Sequence, residues 1–193
     1  METPGLCCGA TLMGACIVID VPNSEVDRPT SAAQTCRIRV LCLGNDLLGD
    51  DSLGWMAAAC VRQFAPADVE VLNTSEAGFR LLDYLLDVDR LIVIDTVVTG
   101  SAPPGTIYEI RESQLRSPPG GSPHYVGFLE AVTLSKYLGL PVAKEVFILA
   151  VEATNCSTMG GDMHPAVRAA IRPLVETVRN RIGAVDRFGA SHC

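Results

Sequence analysis

Arg90-Leu91-Ile92-Val93-Ile94-Asp95-Thr96 is an uninterrupted β-branched apolar run that ends in an acid. A strand with one wet face alternates apolar and polar residues, whereas a strand covered on both faces does not. The run therefore commits the chain to a parallel sheet sandwiched between helices. Ile38 to Leu43 and Lys144 to Val151 read in the same way, Val69 to Leu72 gives a further strand, and Gly105 to Ile110 reads as an edge strand. Between them lie helical patterns. Ala77 to Leu86 places Phe79, Leu82, Leu85 and Leu86 on one side, and a second pattern covers Val126 to Leu138. Pro165 to Ile182 carries a stripe of Val167, Ala170, Ile171, Leu174, Val175 and Val178, with Pro165 near its start and Pro173 predicted to kink it. Alternating strands and helices predict an α/β fold: a single three-layer domain with a mostly parallel twisted sheet of about five strands and helices on both faces.

In such sheets ligands bind beyond the carboxyl ends of the strands, where strand order reverses. The turn Gly44-Asn45-Asp46-Leu47-Leu48-Gly49-Asp50-Asp51-Ser52-Leu53-Gly54 follows the first strand and opens a helix. A glycine-punctuated turn of this kind usually cradles an anion. Three aspartates would repel a phosphate, so this turn suits a cation or a cation-bearing partner. The alternative is that Asp50 or Asp51 caps the helix. Asp95 falls at the carboxyl end of its strand, where an acid also serves as a turn or cap residue. His124, in Ser122-Pro123-His124-Tyr125-Val126-Gly127, follows a Pro/Gly-rich loop and precedes a helix. Three α/β units thus bring Asp51, Asp95 and His124 to one sheet edge, at the rim of a crevice. Two carboxylates and an imidazole suit a borderline metal.

These residues resemble the endopeptidases that mature nickel–iron hydrogenases, whose fold is shared with the spore germination protease. Leu43-Gly44-Asn45 with Leu47, Leu48, Asp50, Asp51 and Gly54 is similar to the family's first signature, and Ala77-Gly78 with Leu81-Leu82 to its second. Leu91 to Asp95 resembles the third, Pro104-Gly105-Thr106-Ile107-Tyr108 the strand after it, and Ser122-Pro123-His124 with Gly127 the fourth. The resemblance spans residues 37 to 182. It implies a phosphorylase/hydrolase-like fold and removal of a C-terminal peptide from the hydrogenase large-subunit precursor once nickel is inserted. It also implies that Asp51, Asp95 and His124 occupy the catalytic, metal-contacting positions, the nickel being carried by the substrate.

Two departures from the family pattern stand out. Asp51 replaces the usual Glu and is shorter by one methylene. Asn73-Thr74-Ser75-Glu76 replaces an acid followed by two glycines, which restricts the backbone and leaves less room for a partner to approach. Glu76 partly replaces the missing acid in this reading, and the chain belongs to a divergent branch with the same activity.

Composition narrows the classes further. The chain has 193 residues, 48% of them hydrophobic, enough for one enclosed core. Its net charge of −7, with 15 scattered basic residues, argues against a nucleic-acid partner. Residues 1–36 read as a weakly ordered extension, 37–183 as the protease domain and 184–193 as a tail. Leu6 to Ile19 is too short and glycine-broken to span a bilayer and lacks a basic flank, so neither a membrane nor a secretory signal is predicted. Eight cysteines without a C-x-x-C pair point to free thiols in a reducing cytoplasm. No Gly-x-Ser-x-Gly elbow, His-Glu-x-x-His helix or P-loop is present. Two rivals stay open: a nickel-checkpoint or chaperone-like binder that has lost turnover, and a cysteine hydrolase using Cys156 with His124 or His164. The latter needs a depressed thiol pKa, which the nearby Glu152 and Asp162 oppose.

Overall fold

A computed structural model describes residues 37–111 and 123–188, with the side chains of 123–127, 129–130 and 184–188 left aside. The extension 1–36, the Pro/Gly loop and the final residues lie outside this description. Five strands form one sheet: β1 (Ile38–Leu43), β2 (Val69–Thr74), β3 (Arg90–Val97), β4 (Ile107–Arg111) and β5 (Glu145–Glu152). Their order is β2-β1-β3-β5-β4, with every pair parallel except β4 against β5. Four helices accompany them: α1 (Leu53–Val61), α2 (Leu82–Leu85), α3 (Pro123–Tyr137) and α4 (Pro165–Phe188). The α/β expectation, the strand count and the edge strand all hold; that the edge strand runs antiparallel is new.

Strand parity divides the core in two. Ile38, Val40, Cys42, Ile92, Ile94, Phe147, Leu149 and Val151 meet Leu53, Ala57 and Val61 of α1 and Val167, Ala170, Leu174 and Val178 of α4. The alternate positions Leu41, Leu43, Leu91, Val93, Ile148 and Ala150 meet Leu81, Leu85 and, from α3, Phe128, Ala131 and Val132. Because the central strands are apolar on both parities, each face can hold a helical layer. The chain leaves β1 through α1 on one face and reaches β5 through α3 on the other. Strand order therefore reverses between β1 and β3, and a crevice opens at their carboxyl ends.

Three expectations are corrected. The helix after β2 is not one amphipathic α-helix but a 3-10 turn, Gly78–Leu81, followed by the single turn of α2. At three residues per turn the start shifts phase, so Leu81 goes inside and Phe79 faces outward at 57% exposure. Helix α3 starts at Pro123, which places His124 in its first turn rather than in a loop. Helix α4 runs on past Pro173 to Phe188, beyond the Ile182 at which the sequence pattern ends.

Candidate active site

The turn after β1 is shaped by close approaches that only glycine permits. Gly44 has φ +140°, and a Cβ there would lie 2.1 Å from the carbonyl oxygen of Asp51. A Cβ on Gly54 would lie 2.0 Å from the carbonyl oxygen of Leu43, so Gly54 lets α1 press against the end of β1. Asp50–Ser52 form a 3-10 turn leading into α1, and the N-cap position of that helix is Ser52. Neither aspartate occupies the N-cap position of α1.

The two acids face different partners. Asp50, 1% exposed, reaches across to the loop after β5. It accepts from the Thr154 N–H (2.8 Å) and hydroxyl (2.7 Å), the Asn155 N–H (3.1 Å) and the His164 N–H (2.6 Å). Burial alone would raise its pKa, but these donors hold it below the ordinary carboxylate value, beginning with the His164 amide. The loops are also zipped by backbone, with the Asp50 N–H on Asn155 O and the Gly49 N–H on Thr158 O. Asp51, 4% exposed, accepts from the Asn45 N–H through Oδ2 (2.8 Å) and from the Thr96 hydroxyl through Oδ1 (2.7 Å).

Asp95 has the parity of the α3 face and Thr96 that of the α1 face, so the end of β3 contributes to both sides of the crevice. Asp95 is fully buried and accepts the Thr96 N–H at 2.7 Å. Asp51 and Asp95 thus lie below the predicted rim. A buried carboxylate survives only if its oxygens are hydrogen-bonded, and the strand ends supply the donors. The backbone of His124 belongs to α3, on the same face as Asp95; its side chain lies outside the described residues. Among the described residues no three His, Cys, Asp or Glu side chains are arranged to hold a metal ion.

Cys156 sits beside the acids, its Sγ 3.4 Å from the Thr96 hydroxyl. Burial pushes the thiol up to about 12; the Thr96 contact lowers it somewhat, while Asp51, Asp50 and Asp95 raise it. Such a thiol stays protonated near neutral pH, which weighs against the cysteine hydrolase. The opposing charges are those three aspartates, not the Glu152 and Asp162 named from sequence. His164, the other proposed partner, accepts the Ala166 N–H through Nδ1 (3.2 Å) and so caps the start of α4.

With this geometry in place, known proteins provide the context. A sequence model described as hydrogenase maturation protease matches residues 56–181. The hydrogenase expression/formation protein HupD of Bradyrhizobium diazoefficiens is 32% identical over 153 residues, covering 77% of this chain and 78% of HupD. The hydrogenase 2 maturation protease of Escherichia coli is 30% identical over 146 residues, covering 74% and 88% respectively. The solved structure of the hydrogenase maturating endopeptidase HybD from Escherichia coli superposes with a TM-score of 0.66 at 28% identity, covering 79% of this chain and 94% of HybD. The chain belongs to the hydrogenase maturation protease family. It is a peptidase of that family with the family's α/β fold, and among the described residues no helix is long and apolar enough to cross a membrane.

Sequence reasoning missed three features of this maturation protease's site. Thr96, the neighbour of Asp95, binds Asp51. Asp50 is a structural clamp. Glu152, buried at the end of β5, accepts from the Thr99 N–H (2.8 Å) and hydroxyl (2.7 Å), the Gly100 N–H (2.8 Å) and the Tyr108 hydroxyl (2.8 Å), tying down the loop after β3. The one signal available was the hydroxyl or acid that closes the apolar runs of β3 and β5. In the altered second signature, Asn73 accepts from Arg62, and Glu76 meets Arg80 at 3.2 Å in a surface ion pair.

Proposed function

We propose that this protein removes the C-terminal extension from the large-subunit precursor of a nickel–iron hydrogenase, in the cytoplasm. Asp51, Asp95 and His124 would contact the nickel that the precursor carries. The observation that carries this reading is the pair of buried carboxylates, Asp51 and Asp95, at the β1/β3 switch point of a maturation protease fold. Contact with the substrate's metal would hold the adjacent peptide bond in a fixed place, and a carboxylate or an activated water would serve as base. Free thiols at Cys42, Cys60 and Cys156 fit a reducing compartment. Because Asp95 is inaccessible in the free protein, the reading requires the carboxyl edge to open when the precursor binds.

The test is cleavage of purified precursor with and without nickel. The nickel-loaded form should be processed and the empty form should not. Asp51→Asn, Asp95→Asn and His124→Ala should each reduce cleavage by about 100-fold or more, the scale on which misplacing a reacting group acts. Asn is preferred to Ala at the two buried acids because it opens no cavity. Cleavage by all three variants at the parent rate would overturn the assignment. Nickel-dependent binding without cleavage by the parent would support the checkpoint reading, which the short Asp51 and the amide at Asn73 favour.

A further inference from the structure

Thr96 is 2% exposed, and its hydroxyl lies between two groups of the site. It donates to Asp51 Oδ1 at 2.7 Å, and the Cys156 thiol donates to it at 3.4 Å. A hydroxyl has one proton to give and lone pairs to receive. The thiol on one side therefore turns that proton toward the carboxylate on the other. The second oxygen of Asp51 is held by the Asn45 N–H at 2.8 Å. One clamp comes from the loop that carries Asp51, and the other from a strand paired on both sides, Thr96 lying opposite Val151 of β5. The plane of the Asp51 carboxylate is thus referred to the same strand that carries Asp95.

Resting on the reading of Asp51 above, we propose that Thr96 is a positioning residue for precursor cleavage: its hydroxyl, oriented by the Cys156 thiol, fixes the Asp51 carboxylate relative to Asp95. Without that hydroxyl, Asp51 keeps its charge and its Asn45 contact but loses the hydrogen bond that ties its carboxylate to β3. The role explains a half-buried thiol beside three aspartates without making it a nucleophile.

Thr96→Val keeps the shape and the β-branch and removes only the hydroxyl, whereas Thr96→Ser restores it. In the full chain acting on nickel-loaded precursor, Thr96→Val should lower kcat/KM by about 10- to 100-fold, mostly through kcat, with Thr96→Ser within about 3-fold of the parent. Cys156→Ala should cost about 3- to 10-fold, and Cys156→Ser, which keeps a donor, less. Thermal melts should show Thr96→Val folded. Parent-like turnover by Thr96→Val, or an equal loss in Val and Ser variants, would overturn the positioning role. Asp51→Asn is assayed alongside. If it cleaves like the parent, the reading of Asp51 itself fails; if it is inactive while Thr96→Val is not, only the positioning role fails.

Discussion

The two ends of this sheet handle their acids in opposite ways. At the amino edge, carboxylates meet cations: Glu70 with Arg39 at 2.7 Å, Glu145 with Arg90 at 2.6 Å, and Asp89 with Lys144 at 3.4 Å. At the carboxyl edge, Asp50 and Glu152 are buried and, among the described residues, held by amide and hydroxyl donors. A cation cancels an acid's field, whereas a neutral donor keeps the acid ionised and leaves its charge in place. Among the described residues, Asp50 and Glu152 therefore keep their charge beside neutral donors, whereas the acids of the amino edge share theirs with cations. That difference sets the carboxyl edge apart independently of any motif. A cavity of about 60 Å³ lined by Arg90, Glu145, Phe147 and Arg181 lies at the neutralised end and includes none of the site residues.

The sharpest way to break the comparison is to remove Asp50. If the carboxyl edge is held by its acids, Asp50→Ala strands donors on Thr154, Asn155 and His164 and separates the loops after β1 and β5. Asp50 is buried, but Thr154 and Asn155 are exposed and His164 is half-buried, so water reaches part of the stranded set. The lost hydrogen bonds to a charged group set a net loss of about 2–3 kcal/mol in urea denaturation. A loss under about 1 kcal/mol would mean that water replaces the carboxylate without difficulty.

The fold was legible because it is written in periodicity. Runs such as Leu91 to Ile94 have no parity, and only a doubly covered strand accommodates them. Asp51 and Asp95 were legible as strand-end acids brought together by alternation. Their burial was not, because whether an acid lies on the rim or below it depends on donors from distant segments. The Thr96 hydroxyl lies 45 positions from Asp51, and the Thr154 amide 104 from Asp50. The short region after β2 was misread for a local reason: a 3-10 start rotates the following side chains away from the α-helical phase that fits Phe79 and Leu82.

A second, smaller effect sharpens the same contrast through Glu152. Glu152→Gln keeps one acceptor but turns an amide NH2 toward donors, so it should cost about 1–2 kcal/mol in thermal or urea unfolding. Its acid dependence follows the same logic. The pKa values of Asp50 and Glu152 are lowered in the folded protein, so both contribute stability above their unfolded values of about 3.9 and 4.3. That contribution is lost as pH falls through the lower folded values. Stability from these groups should be flat from about pH 5 to 8 and decline below about pH 4, with a shallower decline in Asp50→Asn/Glu152→Gln. An unchanged acid profile in the double variant would assign acid unfolding to other groups.

The smallest effect is expected at the amino edge, and salt separates it from the others. Glu145 is half exposed, and its pairing with Arg90 is screened by solvent, so Glu145→Gln should change stability by about 0.2–1 kcal/mol. Asp89 supplies the acid-dependent part there: the Arg37 backbone N–H and Lys144 lower its pKa, and its contribution too is lost as pH falls through the folded value. The Lys144 share of that contribution is an attraction between an exposed cation and a half-buried carboxylate at the surface. At 1 M salt the screening length shrinks to about 3 Å, so the Glu145 effect and the Lys144 share of the Asp89 effect should fade. The acid sensitivity owed to Asp50 and Glu152 should persist, because amide and hydroxyl donors at hydrogen-bond distance inside the protein are not displaced by mobile ions. Urea unfolding of the parent, Glu145→Gln and Asp50→Asn/Glu152→Gln at low and high salt would read both edges together. If salt weakened the acid response of the carboxyl edge as much as that of the amino edge, its acids would be held by charge after all, and the contrast between the two ends would fall.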